Sequence, residues 1–328
     1  MRSAEDSPAA PVVAVVDCGP DDRPRLERLE AAVPTRVCDG PAEGGALVER
    51  AAGCAVLATL YTYTPVTEAV LDGLPGLRLV ITRTAGSSHI DLGAAQRRGI
   101  AVATVPEGPT QAVAEYTIAA AIALSRGLPA AVASTARGEW DFTGFRGHDL
   151  GGRTLGVVGL GHIGARVAQL GQAFGMRVVG WSRSEKGLDG VEQVPLPALL
   201  QRAHVVSVNV ALAAETHRLL DAAALARMRP DAVLVNTSRG ETIDLDALCD
   251  LLRAGRLGGA WLDVVEGEPG LPAERLEALA AVPNLFVTPH ISWHTHETLD
   301  RQFDGMIDRI LAFCAQDHRT EEPHHASP

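Results

Sequence analysis

Leu155-Gly-Val-Val-Gly159-Leu-Gly161-His162-Ile163-Gly164 runs an apolar stretch straight into three glycines at G-x-G-x-x-G spacing. In a chain with 33 glycines that spacing alone says little, so the flanks carry the reading. Thr154 to Val158 is apolar and rich in β-branched residues, as a strand buried on both faces should be. Beyond the turn, Ile163, Val167, Leu170 and Phe174 recur at helical spacing. Strand, glycine turn and helix together predict a site for a dinucleotide. Gly159 permits the tight turn, Gly161 lets the backbone approach a pyrophosphate, and Gly164 lets helix and strand pack closely. The pyrophosphate then rests on the free amides of the helix N-terminus, at His162 and Ile163.

The 328 residues suffice for two domains, and a 46% hydrophobic content supplies their cores. A net charge of −11 and a pI near 5.5 argue against a nucleic-acid binder, because phosphate backbones reward clustered Lys and Arg. The five cysteines, Cys18, Cys38, Cys54, Cys249 and Cys314, form no C-x-x-C pair, which predicts reduced thiols and no metal site. The first residues lack an apolar signal core and no apolar run reaches bilayer length, so a cytoplasmic protein that does not span a membrane is expected.

Short apolar strands alternate with helical segments from the start: Val12 to Val16 then Arg25 to Ala32, Ala55 to Thr59 then Thr67 to Leu71, Leu77 to Thr82 then Asp91 to Arg98. A second series starts at Thr154 and continues through Arg177 to Trp181, Val205 to Val208, Val233 to Asn236, Ala260 to Val264 and Leu285 to Val287. Such alternation predicts an α/β protein with two doubly wound parallel sheets. An Ala-rich helix over Thr110 to Arg126 carries the chain between them. A last helix, about His294 to Ala315, repeats Leu299, Phe303, Met306, Ile310 and Phe313, a stripe expected to pack back on the first unit. From Gln316 onward a frayed polar tail is expected, with the His324–His325 pair given no metal role.

Three ionisable groups fall at strand ends of the second series. Arg239, in Asn236-Thr237-Ser238-Arg239-Gly240, can grip a carboxylate with two parallel N–H bonds, although taken singly it reads equally as an ion-pair arginine. Glu268 lies in Asp263-Val-Val-Glu-Gly-Glu268-Pro269 and His290 in Thr288-Pro289-His290. A histidine oriented by a carboxylate suits proton transfer near neutral pH.

With these motifs in order, and with Thr84-Ala85-Gly86-Ser87-Ser88-His89-Ile90-Asp91 and Val105-Pro106 followed by Ala112-Val113-Ala114-Glu115, the chain resembles the D-isomer-specific 2-hydroxyacid dehydrogenases from about Thr59 to His296. The resemblance implies a flavodoxin-like substrate-binding domain from residues 1–108 and 294–328, a Rossmann cofactor domain from 109–293, and a homodimer with 139–149 as its arm. It implies hydride transfer between a nicotinamide and a small 2-oxo acid. In that scheme Arg239 holds the substrate carboxylate, His290 is the general acid and base, and Glu268 raises the basicity of His290. The backbone of Ala85, Gly86 and Ser87 meets the carboxylate, Thr237 lines the cofactor, and Asp263 bonds the nicotinamide amide.

The chain departs from its relatives in informative places. Where most of them end the second Rossmann strand on an acid that binds the adenosine ribose, this chain reads Trp181-Ser182-Arg183-Ser184. A guanidinium flanked by hydroxyls suits a 2′-phosphate, so NADP(H) is preferred over NAD(H). Leu60 to Thr64 reads Leu-Tyr-Thr-Tyr-Thr, without the arginines of phosphoglycerate-handling relatives, which predicts a substrate lacking a distal phosphate. Strand alternation puts Tyr61 and Tyr63 on one face, either touching substrate or packing at a strand end. Ser292 is a candidate for the nicotinamide face and Trp293 for a pocket wall or subunit contact. Two alternatives stand beside this reading: a dinucleotide-sensing, corepressor-like interaction protein, and a dehydrogenase of an unusual acid such as a phosphonate.

Overall fold

The computed structural model describes residues 12–320, so His324 and His325 lie outside the described residues. The chain divides into two compact units, one from residues 12–108 with 295–320 and one from 109–294.

The first unit is built on a parallel sheet of β1 (Val13–Cys18), β2 (Thr35–Asp39), β3 (Val56–Thr59), β4 (Leu79–Thr82) and β5 (Ala101–Ala103) in the order β2-β1-β3-β4-β5. The order reverses between β1 and β3, as in a flavodoxin-like doubly wound sheet. Every position of β1, β3 and β4 is buried because helices cover both faces, which is why those strands are continuous apolar runs. The helix His296–Thr320 completes this unit. Its Phe303, Met306, Ile307 and Ile310 pack in one core with Val13, Val15, Val56 and Ile81, the fate expected from the apolar stripe.

The second unit carries seven parallel strands: β6 (Thr154–Val158), β7 (Arg177–Trp181), β8 (Val191–Gln193), β9 (Val205–Val208), β10 (Val233–Asn236), β11 (Gly259–Leu262) and β12 (Leu285–Val287), in the order β12-β11-β10-β9-β6-β7-β8. The switch lies between β6 and β9, directly beside the glycine turn. The helix Thr110–Ser125 belongs to this unit and buries Val113, Ile118 and Ala121. Among the described residues no single helix is long and apolar enough to cross a membrane.

The structure corrects the strand reading of Tyr61 and Tyr63. β3 stops at Thr59 and both tyrosines fall in the irregular segment after it. Their rings still lie side by side, 5.7 Å apart and 12° from parallel, so stacking achieves what strand alternation was expected to do.

Candidate active site

The strand β6 delivers the chain to Gly159, whose φ of +98° suits glycine alone, and the helix His162–Ala173 begins immediately after Gly161. A Cβ on Gly164 would come within 1.8 Å of the Gly159 carbonyl oxygen, so the close approach of helix and turn requires glycine there. At Gly161 a Cβ would meet nothing within 4 Å, so the space over the turn is open. No side chain caps this helix, and the amides of His162, Ile163 and Gly164 have no partner within its first turn. Open space over an uncapped helix end fits a pyrophosphate.

Ser182, Arg183 and Ser184 follow β7 on the same edge. The Ser182 hydroxyl donates to the Ser184 carbonyl, and the Gln193 amide on β8 donates to that carbonyl at 3.0 Å. Gln193 thereby tethers the turn, a role its sequence context did not signal. Arg183 is 72% exposed and stands 3.9 Å from Glu215. The strand end itself holds no carboxylate, yet the fold brings one in from the loop after β9. Both partners are mostly exposed, so water screens the pair and it contributes little.

Arg239, Glu268 and His290 follow β10, β11 and β12, three neighbouring strands, and the loops that carry them leave one edge of the sheet. Asn236 shapes the first loop: its side chain accepts from the Ser238 amide at 3.0 Å and donates to the Arg239 carbonyl at 3.0 Å. A Cβ on Gly240 would lie 2.1 Å from the Glu266 amide nitrogen, so the Arg239 turn presses against the loop that bears Glu268. Arg239 is half-buried, its guanidinium donates to the Ser238 carbonyl at 2.7 Å, and among the described residues no carboxylate pairs with it. A half-buried guanidinium left without a counter-ion is suited to an anionic ligand. Thr237 is buried, its hydroxyl 3.3 Å from that of Thr117.

His290 Nδ1 lies 2.8 Å from Glu268 Oε1, with the two side chains 36% and 25% exposed. Glu268 accepts the Nδ1 proton, which orients the ring and leaves Nε2 as the nitrogen able to exchange a proton. The backbone of His290 is left-handed, φ +54°, and its amide donates to the carbonyls of Asp263 and Thr288. Asp263 is fully buried and spends its carboxylate on the same loop, accepting from the Thr288 hydroxyl at 2.7 Å and from the amides of Ile291 and Ser292 at 2.9 and 2.8 Å. Ser292, read as a nicotinamide neighbour, is buried with its amide committed to that carboxylate. Trp293 is half-buried with its ring 5.0 Å from that of His294. The Thr288 hydroxyl also meets that of Tyr116, and Trp261 Nε1 reaches both; neither Tyr116 nor Trp261 was read from the sequence, because they look like ordinary helix and strand residues.

In the first unit, Ala85, Gly86 and Ser87 form a half-buried turn just after β4, stabilised by the Thr84 hydroxyl donating to the Gly86 carbonyl at 2.7 Å. Tyr61 is held from below by Arg83, whose guanidinium lies 4.4 Å from the Tyr61 ring centre and 5.0 Å from that of Phe303. Tyr61 is half-buried against that guanidinium, whereas Tyr63 is 51% exposed.

Residues 118–292 match the D-isomer specific 2-hydroxyacid dehydrogenase, NAD binding domain. Among curated proteins, the glyoxylate reductase of Korarchaeum cryptofilum is 36% identical over 284 residues, 84% of each chain. Among solved structures, the D-lactate dehydrogenase of Aquifex aeolicus, complexed with NAD and lactic acid, superposes with a TM-score of 0.84 at 27% identity, covering 94% of this chain and 97% of that one. An acyclic imino acid reductase, Bsp5, in complex with NADPH and D-Arg, does so with a TM-score of 0.85 at 26% identity, covering 93% and 97%. The match over more than half of the chain and the likeness to the glyoxylate reductase place it in the D-isomer specific 2-hydroxyacid dehydrogenase family of oxidoreductases.

Proposed function

We propose that this chain reduces a small 2-oxo acid to its D-2-hydroxy acid with NADPH in preference to NADH. The observation that carries the reading is the 2.8 Å contact between His290 and Glu268 on the sheet edge that also bears an arginine without a carboxylate partner among the described residues. Arg239 grips the substrate carboxylate and polarises the neighbouring carbonyl. His290 Nε2 gives its proton to the carbonyl oxygen and takes one back in the oxidative direction, while Glu268 keeps the ring aligned. When bound, the nicotinamide supplies the hydride to the carbonyl carbon, and hydride plus proton complete the reduction of C=O to CH–OH.

Gly159, Gly161, His162, Ile163 and Gly164 hold the pyrophosphate in this reading, with Arg183 and Ser184 on the 2′-phosphate. Solved relatives hold either NADPH or NAD, so the preference rests on this chain's own strand end. Against a doubly charged phosphate, the screened Glu215 is easily displaced from Arg183. The substrate is a small acid without a distal phosphate, because Leu60 to Thr64 offers no arginine, and glyoxylate is the first candidate from the reductase it resembles. Ala85, Gly86 and Ser87 retain their expected role toward the carboxylate. We infer further that the chain forms a homodimer through 139–149.

The test is NADPH oxidation with glyoxylate, pyruvate, hydroxypyruvate and phosphohydroxypyruvate. Turnover of the unphosphorylated acids is expected, and His290→Asn should lower kcat by roughly 10²–10⁴ without changing NADPH affinity. Arg183→Ala should weaken NADPH at least about tenfold in a fluorescence titration and leave NADH alone. Wild-type inactivity on all four acids sinks the catalytic reading; equal affinities for NADPH and NADH overturn the cofactor preference.

A further inference from the structure

The loop that carries His290 is held by a chain of side chains outside the catalytic set. Trp261 on β11 shares its Nε1 proton between the Tyr116 hydroxyl at 3.1 Å and the Thr288 hydroxyl at 3.3 Å. The Tyr116 and Thr288 hydroxyls lie 2.7 Å apart, and Thr288 donates to Asp263 Oδ1 at 2.7 Å. The direction is fixed from its end. A threonine hydroxyl has one proton, which it donates to the carboxylate, so the Thr288 oxygen must accept the Tyr116 proton, and the Trp261 N–H finds an acceptor in both hydroxyl oxygens. Burial pushes the Tyr116 phenol up from its ordinary value, which keeps it in the donor form. Trp261 is seated by its own neighbours, 6.4 Å edge-on from Tyr116 and 5.6 Å from Phe286.

We propose that Tyr116 and Trp261 are positioning residues for His290, acting through Thr288 and Asp263. A non-glycine residue at φ +54° stays there only when its surroundings over-determine it. Here the constraint comes from both sides. Thr288, two residues before, and the amides of Ile291 and Ser292, just after, all end on the one Asp263 carboxylate. Thr288 is the joint of the device: lose its hydroxyl, and the carboxylate loses a donor while Tyr116 and Trp261 lose their hold on the loop. The helix Thr110–Ser125 and β11 thereby set the angle at which the imidazole meets Glu268.

This inference rests on His290 acting as the proton donor, and its test separates the two claims. Thr288→Val keeps the shape and removes the hydroxyl, Thr288→Ser keeps the hydroxyl, Tyr116→Phe removes the phenol proton, and Trp261→Phe removes the indole N–H. Hydrogen exchange of the Ile291 and Ser292 amides in the free protein reads the clamp directly. Exchange should speed up about tenfold or more in Thr288→Val and Tyr116→Phe, by less in Trp261→Phe, and return to the wild-type rate in Thr288→Ser. In NADPH-dependent glyoxylate reduction, Thr288→Val and Tyr116→Phe should lose about tenfold in kcat with KM and NADPH affinity within twofold, and Thr288→Ser should recover it. Unchanged amide exchange in both Thr288→Val and Tyr116→Phe overturns the proposal, as does a Thr288→Ser variant as impaired as Thr288→Val. Should wild type reduce no 2-oxo acid, the catalytic reading fails and the exchange measurement still decides the clamp.

Discussion

Arg239 illustrates what a single residue discloses and what only its surroundings supply. Its place after a buried strand was readable, because an Asn-Thr-Ser-Arg-Gly run ending an apolar segment marks the carboxyl edge of a parallel sheet. That it stands without a carboxylate among the described residues, with Gly240 pressed to the Glu266 amide, was not, since partners 25 or more positions away leave no local trace. The guanidinium's planar fork matters if it binds a carboxylate in two places, and lysine cannot reproduce that fork. Arg239→Lys should therefore cost about 2 kcal/mol of transition-state stabilisation, a roughly thirtyfold fall in kcat/KM for glyoxylate, with NADPH affinity unchanged. A fall in cofactor affinity equal to the fall in kcat/KM would instead mark Arg239 as part of the dinucleotide site.

Elements were legible in proportion to how completely they are buried. The runs at β1, β3, β4, β6, β9 and β10 are apolar at almost every position because helices cover both faces of each sheet. The three strands not read from the sequence, β2, β5 and β8, are all edge strands, and Thr-Arg-Val-Cys-Asp, Ala-Val-Ala and Val-Glu-Gln leave part of their length exposed. An edge strand has one neighbour, so it can be short and polar without losing its pairing. The glycine turn shows the opposite case, in which each glycine answers a different demand of the strand–turn–helix unit. Gly164 and Gly240 sit against backbone atoms, so Gly164→Ala and Gly240→Ala should each destabilise the fold by about 1–3 kcal/mol, seen as a lower Tm. Gly161 faces open space, so Gly161→Ala should keep the wild-type Tm yet bind NADPH at least about tenfold more weakly. A wild-type affinity in Gly161→Ala would show that the dinucleotide does not approach the backbone there.

At the scale of the whole molecule, chain order and spatial order differ, and the sequence showed why they must. The apolar stripe on the last helix needs a core, and Phe303, Met306 and Ile310 find it in the first unit although the chain has by then built the second. One surface leaves a similar demand unmet within a single chain. Trp140 and Phe142 are 94% and 87% exposed, and Val132 on the neighbouring helix Leu128–Ala136 is 67% exposed. Large rings gain roughly 25 cal/mol for each Å² removed from water, so a cluster of them in the open favours association. A second copy of the chain presents the same residues, and a self-complementary patch closes as a two-fold pair rather than growing into a filament. Sedimentation should therefore find a dimer at micromolar concentration, and Trp140→Ser with Phe142→Ser should yield a monomer whose cofactor turn still binds NADPH. If the wild-type chain sediments as a monomer, or the double variant remains a dimer, 139–149 is not the arm through which two copies meet.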